Sequence, residues 1–393
     1  MTAGRFYTRQ IAVLASLGLA LLFAFPQHAT SAESQWQGVE RIVAVGDVHG
    51  DFDNFVATLR AADLINRRRN WTGGATHLVQ VGDLPDRGPD TDKVIELLKK
   101  LERQAEEDGG KVHALIGNHE AMNMLGDLRY VHPDEYDAFR DRNSRELRNR
   151  FYANHIQQRQ AADPEFIADS DYRKTFDAQF PLGYVEHRFA WAPEGEIGSW
   201  VLEHNAVVKI NRSLFLHGGI SPQILGMSLD QINGQIRAEL AGGLGEEPGL
   251  SEADHGPLWY RGLAQGSAAE ELAHVEAVLA FYEVDRIIIG HTPGLGTIVP
   301  RFGGKVLIID SGMSDYYGGY AASLEILQTE DGSEINTLQA GERTAIPPGE
   351  EAVLDYFEHM ATLLPDAPAA LQQHINQLRQ PDLAVEPPQQ VPD

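Results

Sequence analysis

The segment RIVAVGDVHG, residues 41–50, joins a short apolar run to an abrupt polar ending. The same arrangement occurs in HLVQVGD, residues 77–83, and in VHALIGN, residues 112–118. Runs of about five β-branched and aliphatic residues are typical of strands buried on both faces. The glycine after each run allows a sharp turn, which leaves the next polar residue at the strand end. We therefore predict three buried strands that each end at an aspartate or an asparagine.

Helical patterns lie between these strands. Residues 52–64 form one pattern, and residues 91–105 carry apolar side chains along a single stripe. This alternation predicts βαβ units, an α/β fold and a largely parallel sheet. Further strand-like runs occupy residues 206–210, 214–217, 286–289, 305–309 and 322–327. Ligands bind beyond the carboxyl ends of the strands in such sheets, so we expect the polar motifs to meet there.

Carboxylates and imidazoles dominate the polar motifs. They occur in GDVHG (46–50), GDLPDRG (82–88), GNHE (117–120), HGG (217–219) and GHT (290–292). Carboxylate oxygens together with imidazole nitrogens suit divalent ions such as Mn, Fe or Zn. An Asp-x-His pair at one strand end can turn two ligands toward one ion, and an aspartate from a neighbouring strand can bridge two ions. The motifs therefore indicate a metal site.

These blocks resemble the calcineurin-like metallophosphoesterases, and within them the phosphoprotein phosphatase branch with its GDxHG, GDxxDRG and GNHE motifs. The continuation NHEAMN…GDLRY, residues 118–130, is similar to the Shewanella-like protein phosphatases, as are PLWYRG at 257–262 and DSGMS at 310–314. The resemblance extends from Arg41 to Leu327. It implies a metallophosphoesterase-type β-sandwich flanked by helices, with a helical insertion.

The resemblance also implies two divalent metal ions, with Asp83 bridging them. The implied ligands are Asp47, His49, Asp83, Asn118, His217 and His291. Two ions about 3.5–4 Å apart lower the pKa of a bridging water and supply a hydroxide near neutral pH. They also neutralise charge on the phosphoryl oxygens during attack. The expected cofactors are therefore two ions of Mn, Fe or Zn.

The same resemblance implies a role for the other motif residues. His119 would be the general acid that protonates the leaving oxygen, and Asp86 would orient it. Arg87 would bind the phosphoryl oxygens, for which a planar bidentate donor is well suited, together with Asn118. Arg261 is the candidate for a second phosphate-binding arginine.

The amino terminus has the pattern of a signal peptide over residues 1–32. Arg5 and Arg9 precede the apolar run Ile11–Phe25, and the small residues 29–32 offer a cleavage site. The apolar run is shorter than the roughly 20 residues that span a bilayer. We expect cleavage and a periplasmic or secreted protein without a stable membrane span; the alternative is a membrane anchor formed by an uncleaved amino terminus.

The remaining chain divides by composition. We predict a metallophosphoesterase domain over residues 33–344. Within it, residues 127–200 are rich in charged and aromatic residues with helical spacing, which indicates a helical cap insertion. Residues 345–393 form a tail with Pro, Gln and two helical patterns, which we expect to pack loosely or to be partly disordered.

Overall composition excludes several functions. Lys and Arg number 32 against 57 Asp and Glu, which gives a formal net charge of -25. Nucleic acids and anionic membranes bind dense basic patches, so we expect neither as a partner. The chain has no cysteine, which excludes disulfides and a thiol nucleophile.

Three functions fit the motifs. The first is a phosphatase for phosphoserine, phosphothreonine or phosphotyrosine in proteins, and the second is a phosphoesterase for nucleotides, dinucleoside polyphosphates or sugar phosphates. The third is a non-catalytic metal-binding protein, which the presence of the candidate general acid His119 and of the phosphate-binding Arg87 disfavours.

Four further residues are left with two interpretations each. Tyr316 and Tyr317 could line a leaving-group pocket or could belong to the core or the surface. Asn123 and Asp127 could support the site or lie outside it.

Overall fold

The computed structural model describes residues 33–243, 245, 247–330 and 332–380. The predicted signal peptide and residues 381–393 lie outside the described residues. None of the helices within the described ranges is long and apolar enough to cross a membrane.

Two six-stranded mixed sheets form the centre of the fold. Their strands are β1 (Gln35–Trp36), β2 (Arg41–Val45), β3 (His77–Gln80), β4 (Lys111–Ala114), β5 (Val207–Ile210), β6 (Ser213–Leu216), β7 (Arg286–Ile289), β8 (Val299–Arg301), β9 (Val306–Ile308), β10 (Ala322–Thr329), β11 (Gly332–Gln339) and β12 (Glu342–Ala345). One sheet has the order β12-β11-β10-β2-β3-β4, and the other has the order β1-β5-β6-β7-β9-β8. Strands β2, β3 and β4 run parallel, as do β6, β7 and β9.

Helices flank both sheets. They are α1 (Phe52–Ala61), α2 (Thr91–Glu107), α3 (Asn118–Leu125), α4 (Glu135–Ala138), α5 (Ser144–Ala162), α6 (Ser170–Gln179), α7 (Tyr184–Ala190), α8 (Glu196–Leu202), α9 (Leu229–Ala238), α10 (Gly262–Gln265), α11 (Ala268–Tyr282), α12 (Val353–Leu363) and α13 (Ala369–Arg379). The apolar stripe of α2 is buried. Side chains from both sheets belong to one hydrophobic core, and this core fixes the strand ends.

The α/β fold with two sheets flanked by helices is confirmed, but the prediction of a largely parallel sheet is wrong. Strands β10, β11 and β12 are joined in antiparallel pairs, and β10 also pairs antiparallel with β2. The sequence of β11, GSEINTLQ, is too polar to stand out as a strand. Hydrogen-bonded pairing with the neighbouring strands on both sides stabilises the extended conformation that its own sequence does not indicate.

The carboxyl-terminal segment also differs from expectation. Helices α12 and α13 match the two helical patterns, but they do not pack loosely. Val353, Phe357 and Met360 of α12 are buried in the core, as are Leu371 and Ile375 of α13. Scattered Pro and Gln hid this amphipathic pattern, so composition alone gave the wrong expectation.

Between α3 and β5 the chain forms helices α4 to α8 and no strand. These helices fall in the region predicted as a helical insertion, and we use that name for residues 127–200. Its role as a cap stays a prediction.

Candidate active site

The predicted metal ligands lie just beyond the carboxyl ends of strands. Asp47 and His49 follow β2, Asp83 follows β3, Asn118 begins α3 after β4, His217 follows β6, and His291 follows β7. Each is at most 4% exposed. Asp47 and His291, 244 positions apart in sequence, follow strands of different sheets and come into contact where the carboxyl ends of the two sets of parallel strands meet.

Asp83 stands at the centre of these side chains. Its Oδ2 lies 3.9 Å from Nε2 of His49, 3.8 Å from Nε2 of His119 and 3.1 Å from Nε2 of His217. Two groups of candidate ligand atoms, each within 4.8 Å of one another, share this aspartate. They are His49 with Asp83 and His119, and Asp83 with His217 and His291. Sharing of one carboxylate is the geometry that a bridging ligand requires.

The remaining predicted ligands adjoin this centre. Oδ1 of Asn118 lies 2.8 Å from Nε2 of His217, and Oδ2 of Asp47 lies 3.9 Å from Nε2 of His49. The backbone N–H of His291 donates to both carboxylate oxygens of Asp47. The structure therefore brings together all six residues that the sequence analysis selected as ligands.

Backbone carbonyls determine which ring nitrogen of two histidines faces the site. Nδ1 of His49 lies 3.1 Å from the carbonyl oxygen of Pro85, and Nδ1 of His217 lies 2.9 Å from that of Val81. We assign the N–H to Nδ1 in both rings, which leaves the Nε2 lone pair free. Burial, with the adjacent His119, lowers the pKa of His49 to about 4, so its neutral form is favoured.

Buried negative charge is concentrated beside these nitrogens. Burial and the carboxylates of Asp310 and Asp83 raise the pKa of Asp47 well above its usual range. Burial likewise raises the pKa of Asp310 to about 6. Among the described residues, Oδ2 of Asp310 has no hydrogen-bond partner. Crowded carboxylates next to neutral imidazoles are costly without a cation. The donor set therefore fits divalent metal ions.

His119 is bound on its far side by Asp86. Nδ1 of His119 lies 2.5 Å from Oδ2 of Asp86, and Nδ2 of Asn123 donates to the other Asp86 oxygen at 3.0 Å. Burial opposes a charged imidazole, but Asp83 and Asp86 outweigh it and raise the pKa of His119 to about 9. Bound cations would lower this value again. Nε2 faces Asp83, where it could either bind an ion or carry a proton.

Several site residues have a left-handed backbone. The φ angles are 48° at His49, 61° at Asp83, 73° at Asp86, 66° at Arg87 and 66° at His291. Such conformations cost a residue with a side chain roughly 1–2 kcal/mol each. The Glu120 carboxylate helps to hold this geometry, because it accepts hydrogen bonds from the backbone N–H groups of Asp83, Leu84 and Gly117. Strain that is held in place is typical of functional sites.

Arg87 lies between two tyrosines. Its Cζ atom is 3.9 Å from the ring centroid of Tyr130 and 4.8 Å from that of Tyr316. Nη1 donates to the Tyr316 hydroxyl at 3.2 Å. Aromatic faces on both sides restrict the guanidinium, so its position is set before a ligand arrives.

Two further predicted residues also border the site. Nη1 of Arg261 donates to the backbone carbonyl of His291 at 2.8 Å and to Thr292 Oγ1 at 3.2 Å. The ring centroid of Tyr317 is 5.4 Å from that of His49. Arg261 and Tyr317 thus lie beside candidate ligands.

Sequence reasoning left some site residues without a role. Asp310 belongs to a segment that carries the family resemblance, but neither this aspartate nor Tyr130 is among the predicted site residues. The position of Asp310 directly after a strand-like run was a usable signal. Of the two residues left open, Asn123 contacts Asp86, whereas Asp127 forms an exposed ion pair with Arg129.

The family model of the calcineurin-like phosphoesterases matches residues 40–295, which is more than half of the chain. An uncharacterized protein of Schizosaccharomyces pombe is 33% identical over 329 residues, covering 81% of this chain and 86% of that protein. Shewanella-like protein phosphatase 2 of Arabidopsis thaliana is 33% identical over 296 residues, covering 72% of this chain and 73% of that protein.

A solved structure agrees with these sequence matches. The crystal structure of a cold-active protein-tyrosine phosphatase of a psychrophile, Shewanella sp., matches with a TM-score of 0.60 at 28% identity, covering 80% of this chain and 82% of that one. The resemblance found in the motifs is confirmed. The chain belongs to the calcineurin-like phosphoesterase family and is a metal-dependent phosphatase.

Proposed function

We propose that the protein hydrolyses phosphate monoesters of protein side chains, tyrosine phosphate above all, with two divalent metal ions of Mn, Fe or Zn. The observation that carries the two-ion proposal is the shared position of Asp83 between two groups of candidate ligands. When bound, such ions lower the pKa of a coordinated water and offset charge on the phosphoryl group.

The side chains of the site bind the phosphoryl group and protonate the leaving oxygen. Arg87, Arg261 and Asn118 bind the phosphoryl oxygens. A water oxygen, which gives up one proton to solvent, forms a bond to phosphorus as the bond to the leaving oxygen breaks. Nε2 of His119 donates its proton to that oxygen, so the product leaves as a neutral alcohol or phenol. Asp86 holds the imidazole and stabilises its charged form.

Aromatic residues around the site support a tyrosine ester. Tyr316 is 59% exposed and adjoins Arg87, Tyr317 is close to His49, and the ring centroid of Tyr130 is 5.3 Å from that of His119. An aryl leaving group can pack against such rings, whereas a serine side chain offers little surface for this contact. Among the relatives, one is named a protein phosphatase and another a protein-tyrosine phosphatase.

A substrate panel on purified, metal-analysed protein tests the proposal. We expect the highest kcat/KM for phosphotyrosine peptides, with phosphoserine and phosphothreonine peptides below them. A strong preference for nucleotides, dinucleoside polyphosphates or sugar phosphates would instead establish the small-molecule function. No turnover of any aryl phosphate across a broad pH range would indicate a binding protein.

Replacing Tyr316 with leucine should lower kcat/KM for phosphotyrosine peptides more than for phosphoserine peptides. An aromatic pair is worth about 0.5–1.5 kcal/mol, so we expect a roughly 2- to 10-fold change in the ratio of the two values. Tyr316→Phe is the matched control, because it keeps the ring and loses only the hydroxyl that Arg87 contacts. Equal losses on both peptides would show that Tyr316 supports Arg87 and does not select the ester.

We also propose that the protein is exported to the periplasm or secreted, on the strength of the charged and apolar pattern of residues 1–32. Mass spectrometry of the mature amino terminus, together with cell fractionation, tests this. A chain that begins near residue 33 in the exported fraction is expected, and an intact amino terminus in the membrane fraction would establish the anchored alternative.

A further inference from the structure

The loop that carries Asp86 has two adjacent residues in a left-handed conformation. Asp86 and Arg87 have φ angles of 73° and 66°. Such a pair persists only where its surroundings hold it. The backbone N–H of Arg87 donates to the carbonyl of Tyr130 at 3.0 Å. Tyr130 belongs to the helical insertion, so part of the support for this loop comes from outside the motifs that hold the candidate ligands.

Glu135, the first residue of α4, provides a second contact from the insertion. Its carboxylate lies beside the backbone N–H of Asp86 and accepts a hydrogen bond from Thr91 Oγ1 at 2.8 Å. Oε1 lies 3.3 Å from Nε2 of His187. Glu135, Thr91 and His187 are all 0% exposed. A carboxylate is costly to bury, and this one is placed where it fixes the Asp86 loop against α2 and α7.

Arg188 provides a third contact, to the helix that begins with Asn118 and His119. From α7, its guanidinium donates to the backbone carbonyls of Asn123 and Met124 near the end of α3. These carbonyls lie in the last turn of the helix, where a cation is favourable. Arg188 therefore fixes α3 at the end opposite His119.

We propose that the helical insertion positions the general acid, with Glu135 and Arg188 as its two positioning residues. Glu135 acts through the Asp86 loop, and Arg188 acts through α3. The contacts of both residues are to the backbone elements that set the His119–Asp86 distance. The insertion is thus a scaffold for proton donation, in addition to any part it plays as a cap. This inference rests on the general-acid role proposed for His119.

Dependence on the leaving group tests the proposal. Phenyl phosphate needs a proton at its leaving oxygen, whereas 2,4-dinitrophenyl phosphate has a leaving group stable enough to depart without one. In Glu135→Leu, which removes the carboxylate that lies beside the Asp86 N–H and binds Thr91, we expect kcat on phenyl phosphate to fall roughly 10- to 100-fold. We expect kcat on 2,4-dinitrophenyl phosphate to change less than about 2-fold.

Conservative and control variants separate positioning from general loss of structure. Glu135→Gln keeps one oxygen acceptor and should restore most of the activity on phenyl phosphate. Arg188→Met should show the same selective loss as Glu135→Leu. Glu146→Leu and Arg150→Met are matched controls, because these residues form an exposed ion pair on α5 of the same insertion and should leave both rates unchanged. If Glu135→Leu does not fold, Thr91→Val removes one of the contacts to Glu135 and gives the same test.

Two outcomes would overturn the proposal. Equal losses on both substrates, or a fall in bound metal that accounts for the loss, would give these residues a structural role only. His119→Asn, measured alongside, keeps this failure apart from failure of the proposed function. If His119→Asn shows the selective loss and the insertion variants do not, the inference alone is wrong; if His119→Asn shows none, the general-acid role itself is wrong.

Discussion

Replacing Asp83 with asparagine is expected to lower metal occupancy and to reduce kcat by roughly 10²-fold or more. Loss of a residue that only supports a metal ligand already lowers metal affinity or activity by about 10- to 100-fold. The carboxylate lies within 4 Å of the Nε2 atoms of His49, His119 and His217. An asparagine has one oxygen in place of two and no negative charge. It can serve one ion through that oxygen, but it cannot bridge two ions with the same strength.

Metal analysis and steady-state kinetics on the same sample provide the measurement. Asp53→Asn is a suitable control. Asp53 lies exposed in the first turn of α1, so this substitution makes the same chemical change away from the site. We expect the control to retain full metal content. An Asp83→Asn protein with both full occupancy and full activity would contradict the bridging role.

The candidate ligands could be predicted from sequence because their signals are local. Each one stands within a few residues of a short apolar run, as Asp47 does after β2 and Asp83 after β3. The run identifies the strand, the glycine identifies the turn, and the geometry of parallel strands places the ends together. The ligand set itself came from the resemblance of these motifs to a known family, because His217 and His291 follow strands of the second sheet and no local signal shows that the two sheets meet there.

The antiparallel strands could not be predicted in the same way. Strand β11 is polar over its first half, and its order comes from β10 and β12 on either side. Helices α12 and α13 likewise depend on apolar side chains that meet the core only after the chain has folded. In both cases tertiary packing overrides weak local propensity.

The contacts of the insertion are harder still to predict from a single sequence. Glu135 is an ordinary glutamate in a charged region, and nothing in its neighbours indicates that it is buried against Asp86. Arg188 is one arginine among many in the same region. Arg188 contacts backbone carbonyls, and Glu135 contacts Thr91 and His187, which are 44 and 52 positions away, so no local pattern reveals these contacts. Prediction of this support requires the folded geometry.

His119→Asn is expected to reduce kcat on phenyl phosphate by roughly 10²- to 10⁴-fold, the usual worth of general acid catalysis, while the metal ions stay bound. Asparagine cannot release a proton at neutral pH. Its amide can still donate to Asp86, so the loop should keep its position. With 2,4-dinitrophenyl phosphate the loss should be small, because that leaving group needs no proton.

Metal content decides between the two roles that the geometry allows for His119. Its Nε2 atom lies close enough to Asp83 to count among candidate ligand atoms. A ligand role would make His119→Asn resemble Asp83→Asn, with lost metal and a loss of rate on both substrates. A proton-donor role predicts full metal content and a loss confined to phenyl phosphate. The contact of Nδ1 with Asp86 is compatible with both roles, because a carboxylate orients a metal-bound imidazole as well as a protonated one, so the metal content and the leaving-group dependence decide.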